Sequence, residues 1–313
     1  MTAIRPMAEI APAGFTLLAV LAASVVVRLI DGGTGLPAAA LGVVATSAAV
    51  AALLGLSRLD GRVARLATPV LFGALLLWLW QMLVIGFAVP RVLLPSPAAI
   101  GQALATHADT LAADFRQTFI RSVIPGYAIG CGLGFLAALA IDRSTFLKRG
   151  LLPLGSLASA MPIVGVAPIM VMWFGFDWQS KAAVITVMTV FPMLVNTTAG
   201  LAEAGPMERD LMRSYAAGYW LILLKLRLPA ALPFVFNALK LNTTLALIGG
   251  IVAEFFGTPI VGMGFRISTE VARMNIDVVW ATIAVAALAG SLSYGTAALI
   301  ERAVTFWHPS FRR

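Results

Sequence analysis

Apolar and polar residues alternate along this chain in long blocks, not in the short amphipathic rhythms of a water-facing domain. A helix that crosses a bilayer needs about 20 mostly apolar residues. Eight stretches meet that pattern: 14–30, 36–56, 69–89, 122–141, 151–174, 182–201, 230–256 and 278–299. Each predicts a spanning helix. The first is short and carries Arg28 near its end. With no small-residue cleavage site clearly behind it, it reads as an uncleaved helix, not a signal peptide.

The polar blocks between them predict different things. Residues 90–121, with Asp109, Asp114, Arg116 and Gln117, and residues 257–277, with Arg266, Glu270 and Arg273, suit short helices lying on one face of the membrane. The longest polar block, 203–232, starts as EAGPMERDLMRSYAAGYW and ends in LPAALP. Over 208–219 the charged residues Arg209, Asp210 and Arg213 cluster on one turn, while Leu211, Tyr215 and Tyr219 fall four apart on one face. This predicts an amphipathic helix outside the bilayer, followed by a second helix start marked by Pro229 and Pro233, where a missing N–H costs little.

Composition sharpens the class. Hydrophobic residues make up 60% of the 313 residues and charged ones only 12%, with mean hydropathy +0.94. So little charge cannot coat a soluble surface, which leaves an all-α polytopic membrane protein. The net charge of +8 then reflects loop asymmetry, not nucleic-acid binding. Arg58, Arg62 and Arg65, then Arg143, Lys148 and Arg149, then Arg209, Arg213, Lys225 and Arg227, and finally Arg302, Arg312 and Arg313 fall with Arg5 on one side if eight helices alternate. That side is expected to be cytoplasmic, with both termini on it. The single cysteine, Cys131, and the two histidines, His107 and His308, provide no disulfide framework and no metal cluster, and no phosphate-binding glycine loop occurs. No cofactor and no catalytic residue is expected.

Within the spans, Lys240 stands out because a charge deep in an apolar helix is costly. Asn237 and Thr244 share its face, Asn196 adds a polar group in the preceding span, and Glu254 lies fourteen residues on, close to four helical turns. The set Asn196, Asn237, Lys240, Thr244 and Glu254 is a candidate translocation pathway. Alternatively, Lys240 snorkels to the inner edge and Glu254 reaches the outer one.

Several motifs, in order, resemble one family. Asp210, Leu211 and Met212 stand at the EAA positions of a cytoplasmic signature, Ala216 at its glycine, and Leu226, Leu228 and Pro229 on its closing Ile-x-Leu-Pro. LLPSP at 93–97, PIVGVAPIMVMWFG at 162–175, FPMLVNTTAG at 191–200 and AEFFGTPIVGMG at 253–264 are similar to further family stretches. The chain resembles the permease subunits of binding-protein-dependent ABC importers, in the nitrate, sulfonate and taurine branch. Its tail looks more like relatives assigned to pyrimidines, thiamine precursors or riboflavin.

The resemblance implies a six-helix core over 66–313, with the type I transmembrane module at about 115–305 and residues 1–65 as an extra helix pair. It implies a bacterial inner-membrane location and a pairing with a second copy or a close relative. It also implies two ATP-binding cassette subunits and an external solute-binding protein. The ATPase-coupling loop would comprise Glu208, Asp210, Leu211, Met212, Tyr215, Ala216, Leu226, Leu228 and Pro229. The departure at Ala216 bears on the tight turn that a glycine there would make. The competing class is an ion-coupled secondary transporter, which needs intramembrane carboxylates or an internal repeat.

Overall fold

In the computed structural model, residues 62–144, 146–147, 149–150, 162–257 and 260–307 are described. The expected spans at 14–30 and 36–56, the rest of the N-terminal extension up to residue 61 and the start of the span at 151–174 lie outside them. The described residues form helices and turns, with no strand among them. We label the helices α1 (Arg62–Gly86), α2 (Pro97–Thr106), α3 (Ala108–Arg143), α4 (Ile163–Phe174), α5 (Trp178–Glu203), α6 (Pro206–Ser214), α7 (Tyr219–Glu254), α8 (Met263–Ala272) and α9 (Ile276–Val304). Among the described residues, α1, α3, α5, α7 and α9 are long and apolar enough to cross a membrane, and α4 is a shorter apolar helix.

The chain divides into two compact units. The smaller holds the described residues up to Thr106 together with Met274–Trp280; the larger holds His107–Arg273 and Ala281 onward. In the smaller unit, Trp80 and Trp280 meet edge to face at 5.0 Å, and Gln81 Oε1 accepts the backbone N–H of Ala98 near the start of α2.

The larger unit is a helix bundle organised around α5. Lipid tails are as apolar as leucine, so helices in a membrane associate by close packing of small residues, not by the hydrophobic effect. Gly126, Gly130 and Gly134 form such a stripe, four residues apart on α3. A Cβ at Gly126 would lie 2.8 Å from Ala182 O, and a Cβ at Gly130 would strike the Thr189 hydroxyl. On its other side, α5 meets α7 through Gly200, where a Cβ would come 3.0 Å from the Ala231 Cα. Buried polar groups tie the three helices: Asn242 of α7 donates to Thr189 O of α5 at 2.9 Å, and Tyr127 of α3 donates to Leu239 O of α7 at 3.1 Å.

Two sequence expectations change here. Residues 108–121 form no separate surface helix: they run without a break into the span, as the 36-residue α3. The second helix after the polar block begins at Tyr219, not at Pro229, and α7 is also 36 residues long. At about 1.5 Å per residue each measures about 54 Å, well beyond a hydrocarbon core of about 30 Å. Both continuities pass through widened π-helical turns, at Arg116–Val123 and Leu223–Arg227. In α7 the π turn sits just before Pro229 and Pro233, which lack the N–H groups that an α-helix would direct at the carbonyls of Lys225 and Pro229.

Candidate functional site

Helix α6 and its surroundings carry the coupling-loop residues. Gly205 caps α6 in an extended conformation, Pro206 opens it, and Glu208 supplies a negative charge in the first turn, where the helix dipole favours one. The helix buries none of its residues. Met207, Leu211 and Tyr215 follow one another at four-residue spacing and are 77%, 58% and 80% exposed. Asp210 and Arg213 pair at 3.3 Å, both exposed. Met212 is half-buried, and Ala216 is exposed.

The end of α6 is a Schellman turn. Ala216 N–H donates to Arg213 O at 2.8 Å and Ala217 N–H to Met212 O at 3.0 Å, with Ala216 in the left-handed region at φ 56°. The tight turn thus forms although an alanine stands at the glycine position, with the strain that a Cβ carries there. One expectation is corrected: Tyr219 does not share the face of Leu211 and Tyr215. It lies past the turn and begins α7, packed against the cluster of Leu201, Leu223 and Ala231.

That packing belongs to a polar base beneath α6. Asp142, at the end of α3, accepts two bonds from Arg227, at 2.7 and 2.5 Å, and one from the Tyr219 hydroxyl at 2.8 Å. Arg227 Nε donates to Leu201 O at 3.0 Å, Arg209 donates to Ala204 O and Ala202 O at the end of α5, and Arg143 lies 5.0 Å from the Tyr219 ring centre. The base joins α3, α5 and α7, while α6 itself is bonded to the end of α5 through Arg209 and leads through its closing turn into α7. Leu226, Leu228 and Pro229 are half-buried in the helix that carries this base. A bidentate, partly buried Arg–carboxylate pair has directional rigidity that exposed pairs lack.

The candidate pathway residues do not stay together. Asn237 and Thr244 are exposed on one side of α7, in register with the exposed Leu241 and Ile248. Asn237 donates to Asn196 Oδ1 of α5 at 3.4 Å. Lys240 does not share that surface: its ammonium pairs with Glu301 in the last turn of α9 at 2.6 Å, half-buried. Glu254 is buried elsewhere, where it accepts the Thr118 hydroxyl at 2.8 Å and the Gly264 N–H at 2.7 Å. The expected Lys240–Glu254 stripe is therefore divided between two partners, because fourteen residues along a helix are also about 21 Å along its axis.

Glu254 belongs to a cluster that single-helix periodicity does not reveal. Asp114, fully buried on α3, accepts the Gly262 N–H at 2.8 Å and Arg266 Nε at 2.7 Å. Thr118 accepts the Met263 N–H at 2.7 Å while it donates to Glu254. Two carboxylates and a hydroxyl thus satisfy the free N–H groups at the start of α8, where the dipole favours negative charge. Arg266 is held more firmly protonated by its bond to Asp114. The bonds that α3 makes to Glu254 and to the start of α8 span 136 to 152 positions in sequence, which explains why no local pattern signals them. Nearby, the buried Lys181 ammonium donates to Phe176 O at 2.6 Å. Among the described residues no group of histidine, cysteine and carboxylate side chains has metal-site geometry.

Comparison with known proteins fits this arrangement. A family described as the binding-protein-dependent transport system inner membrane component matches residues 130–306, more than half of the chain. A probable ABC transporter permease protein of Haemophilus influenzae is 32% identical over 219 residues, covering 70% of this chain and 89% of that protein. The formylaminopyrimidine transport permease protein ThiX of Halalkalibacterium halodurans is 28% identical over 239 residues, 76% and 95% of the two chains. The putative aliphatic sulfonates transport permease protein SsuC of Bacillus subtilis is 27% identical over 245 residues, 77% and 87% of the two chains. With its apolar spanning helices, the chain belongs to the permease subunits of binding-protein-dependent ABC importers: an integral membrane, non-catalytic subunit whose ATP hydrolysis is carried out by separate subunits.

Proposed function

We propose that this chain pairs with a second copy or a close relative to form the translocation path for a small solute, with two ATPase subunits gripping α6 from the cytoplasm. Both termini then lie on the cytoplasmic side, residues 66–313 form the core, and an external binding protein delivers the solute at the α8 end. The relatives' names point to a small heterocyclic or anionic solute: formylaminopyrimidine in one, aliphatic sulfonates in another. The alternative of ion-coupled transport gives way to family membership. The intramembrane carboxylates Glu254 and Glu301 are each taken up by structural partners.

One observation carries the reading. Met207, Leu211 and Tyr215 present an apolar stripe to solvent on a helix whose base is fastened to three spans. Such a stripe fits a groove in a partner, with Asp210 and Arg213 at its rim, and the base turns a pull on α6 into a tilt of α3, α5 and α7. The exposed Asn237 and Thr244, with the half-buried Asn196, are the groups we assign to the solute path. Lys240 and Glu254 we read as fastening groups instead. The test is co-purification of the cognate ATPase with solute-stimulated hydrolysis in proteoliposomes. Full assembly and coupling in both Tyr215→Ala and Leu211→Ala would show that α6 is not the contact.

A further inference from the structure

An open cleft of about 590 Å³ lies at the α8 end of the larger unit. Its wall carries Arg116, Gln117 and Arg121 of α3, Phe176 and Asp177 from the α4–α5 connection, and Val261. Two guanidinium groups face this space against one carboxylate. Asp177 is engaged through Gln117, whose amide donates to it at 3.2 Å, and Gln117 Oε1 in turn accepts Arg121 at 3.2 Å. Arg116 has no hydrogen-bond or ion-pair partner among the described residues.

The helix geometry is what brings the arginines together. In a regular α-helix, residues five apart point about 140° away from each other. Arg116–Val123 is instead a π-helical turn, in which hydrogen bonds run between residues five apart and residue i+5 comes to stand above residue i. The Ile124 N–H bonds to Phe119 O, and the Ser122 hydroxyl donates to Gln117 O at 3.2 Å, both in that five-residue register. Arg116 and Arg121 are themselves five apart, so the widened turn sets both on the cleft. The Phe176 ring forms an apolar wall and is held close to Gly257, whose hypothetical Cβ would come within 2.7 Å of it. The volume suits a small organic molecule.

We infer that this cleft binds a small organic oxyanion: its sulfonate or carboxylate bonds to Arg116 and Arg121, and its apolar part lies on Phe176. The site would receive the solute at the mouth of the path. This rests on the importer reading for its purpose, while the binding itself does not depend on α6 or on any ATPase.

The probe is trifluoromethanesulfonate, followed by its fluorine resonance, with the full chain in nanodiscs of phosphatidylcholine. Saturable binding is expected. It should be displaced by ethanesulfonate but not by the uncharged dimethyl sulfone, and weakened about tenfold or more in Arg116→Gln and in Arg116→Gln/Arg121→Gln. Arg302→Gln, an exposed arginine at the far end of α9, should bind as the wild type does. Arg116→Gln removes no structural partner, so its thermal unfolding should match the wild type. Equal binding in the double variant, or displacement by dimethyl sulfone, would overturn the inference. So would loss of binding on adding phosphatidylglycerol, because the arginines would then serve a lipid headgroup. Failure of these binding tests leaves the ATPase contact at α6 untouched, and failure there leaves these untouched.

Discussion

At the α8 end of the bundle, Asp114 and Glu254 are buried and each of these two carboxylates has a backbone N–H or a hydroxyl against it. At the α6 end, Asp210 and Arg213 are each 71% exposed, and none of the apolar stripe beside them is buried among the described residues. Only the layer beneath, Asp142 with Arg227 and Tyr219, resembles the α8 end in burial and saturation. The difference separates polar groups that hold helices together from those left for something else to hold. A buried charge must be paired, because stranding it costs several kcal/mol, while an exposed pair is worth about 0–1 kcal/mol. Saturated clusters thus mark where the fold is fastened, and bare surfaces on fastened supports mark where partners are expected.

The largest effect should fall on the packing common to both ends. Gly130→Leu drives a side chain into Thr189 and the α5 backbone, and should cost more than about 3 kcal/mol, seen as loss of monodisperse protein in size exclusion. Gly132→Ala, on the same helix but with open space around it, should leave thermal stability unchanged or slightly raised.

Next come the two clusters. Asp142→Asn should lower stability by about 2–3 kcal/mol, read by thermal unfolding, since it leaves the half-buried Arg227 without its carboxylate; Asp114→Asn should cost somewhat less, because Arg266 keeps Glu270 at 3.6 Å. Their effects on ATPase binding should differ. Asp142→Asn loosens the support of α6 and should weaken capture of the ATPase, while Asp114→Asn should not. Equal losses of capture would break the comparison between the ends.

A smaller effect is expected at the turn after α6. Ala216→Gly removes the strain of a left-handed alanine and should stabilise the chain by about 0.5–1 kcal/mol, whereas Ala216→Val should destabilise it. The smallest belongs to Arg213→Ala, whose exposed pair should contribute less than about 0.5 kcal/mol to stability.

The spans from 69 to 89 and from 182 to 201 are legible because their apolar runs are unbroken: the helix at the second extends a few residues beyond each end, and that at the first starts at Arg62 and stops at Gly86. The true lengths of α3 and α7 are not legible. Asp114 and Gln117 read as surface residues because their partners, Arg266 and Asp177, are distant in sequence. The amphipathic helix around Leu211 was visible from its period, but its end was not. Alanine carries no turn signal, so Tyr219 was assigned to the wrong side of a bend that only the hydrogen bonds of Ala216 and Ala217 define. Lys240 stands out in the sequence as a charge within an apolar span, and the structure half-buries it. Its partner Glu301 sits 61 positions away, beyond any helical repeat.

The central claim is that α6 is a bare apolar contact on a fastened base. It is tested most directly by titrating the cognate ATPase against the full chain in nanodiscs and comparing wild type, Tyr215→Ala and Arg213→Ala. An aromatic anchor buried in a partner is worth about 2 kcal/mol. Tyr215→Ala should therefore weaken binding by about thirtyfold. Arg213→Ala should weaken it by less than about threefold, with both variants unfolding at the wild-type temperature. Wild-type affinity in Tyr215→Ala, or a larger loss in Arg213→Ala than in Tyr215→Ala, would contradict the account.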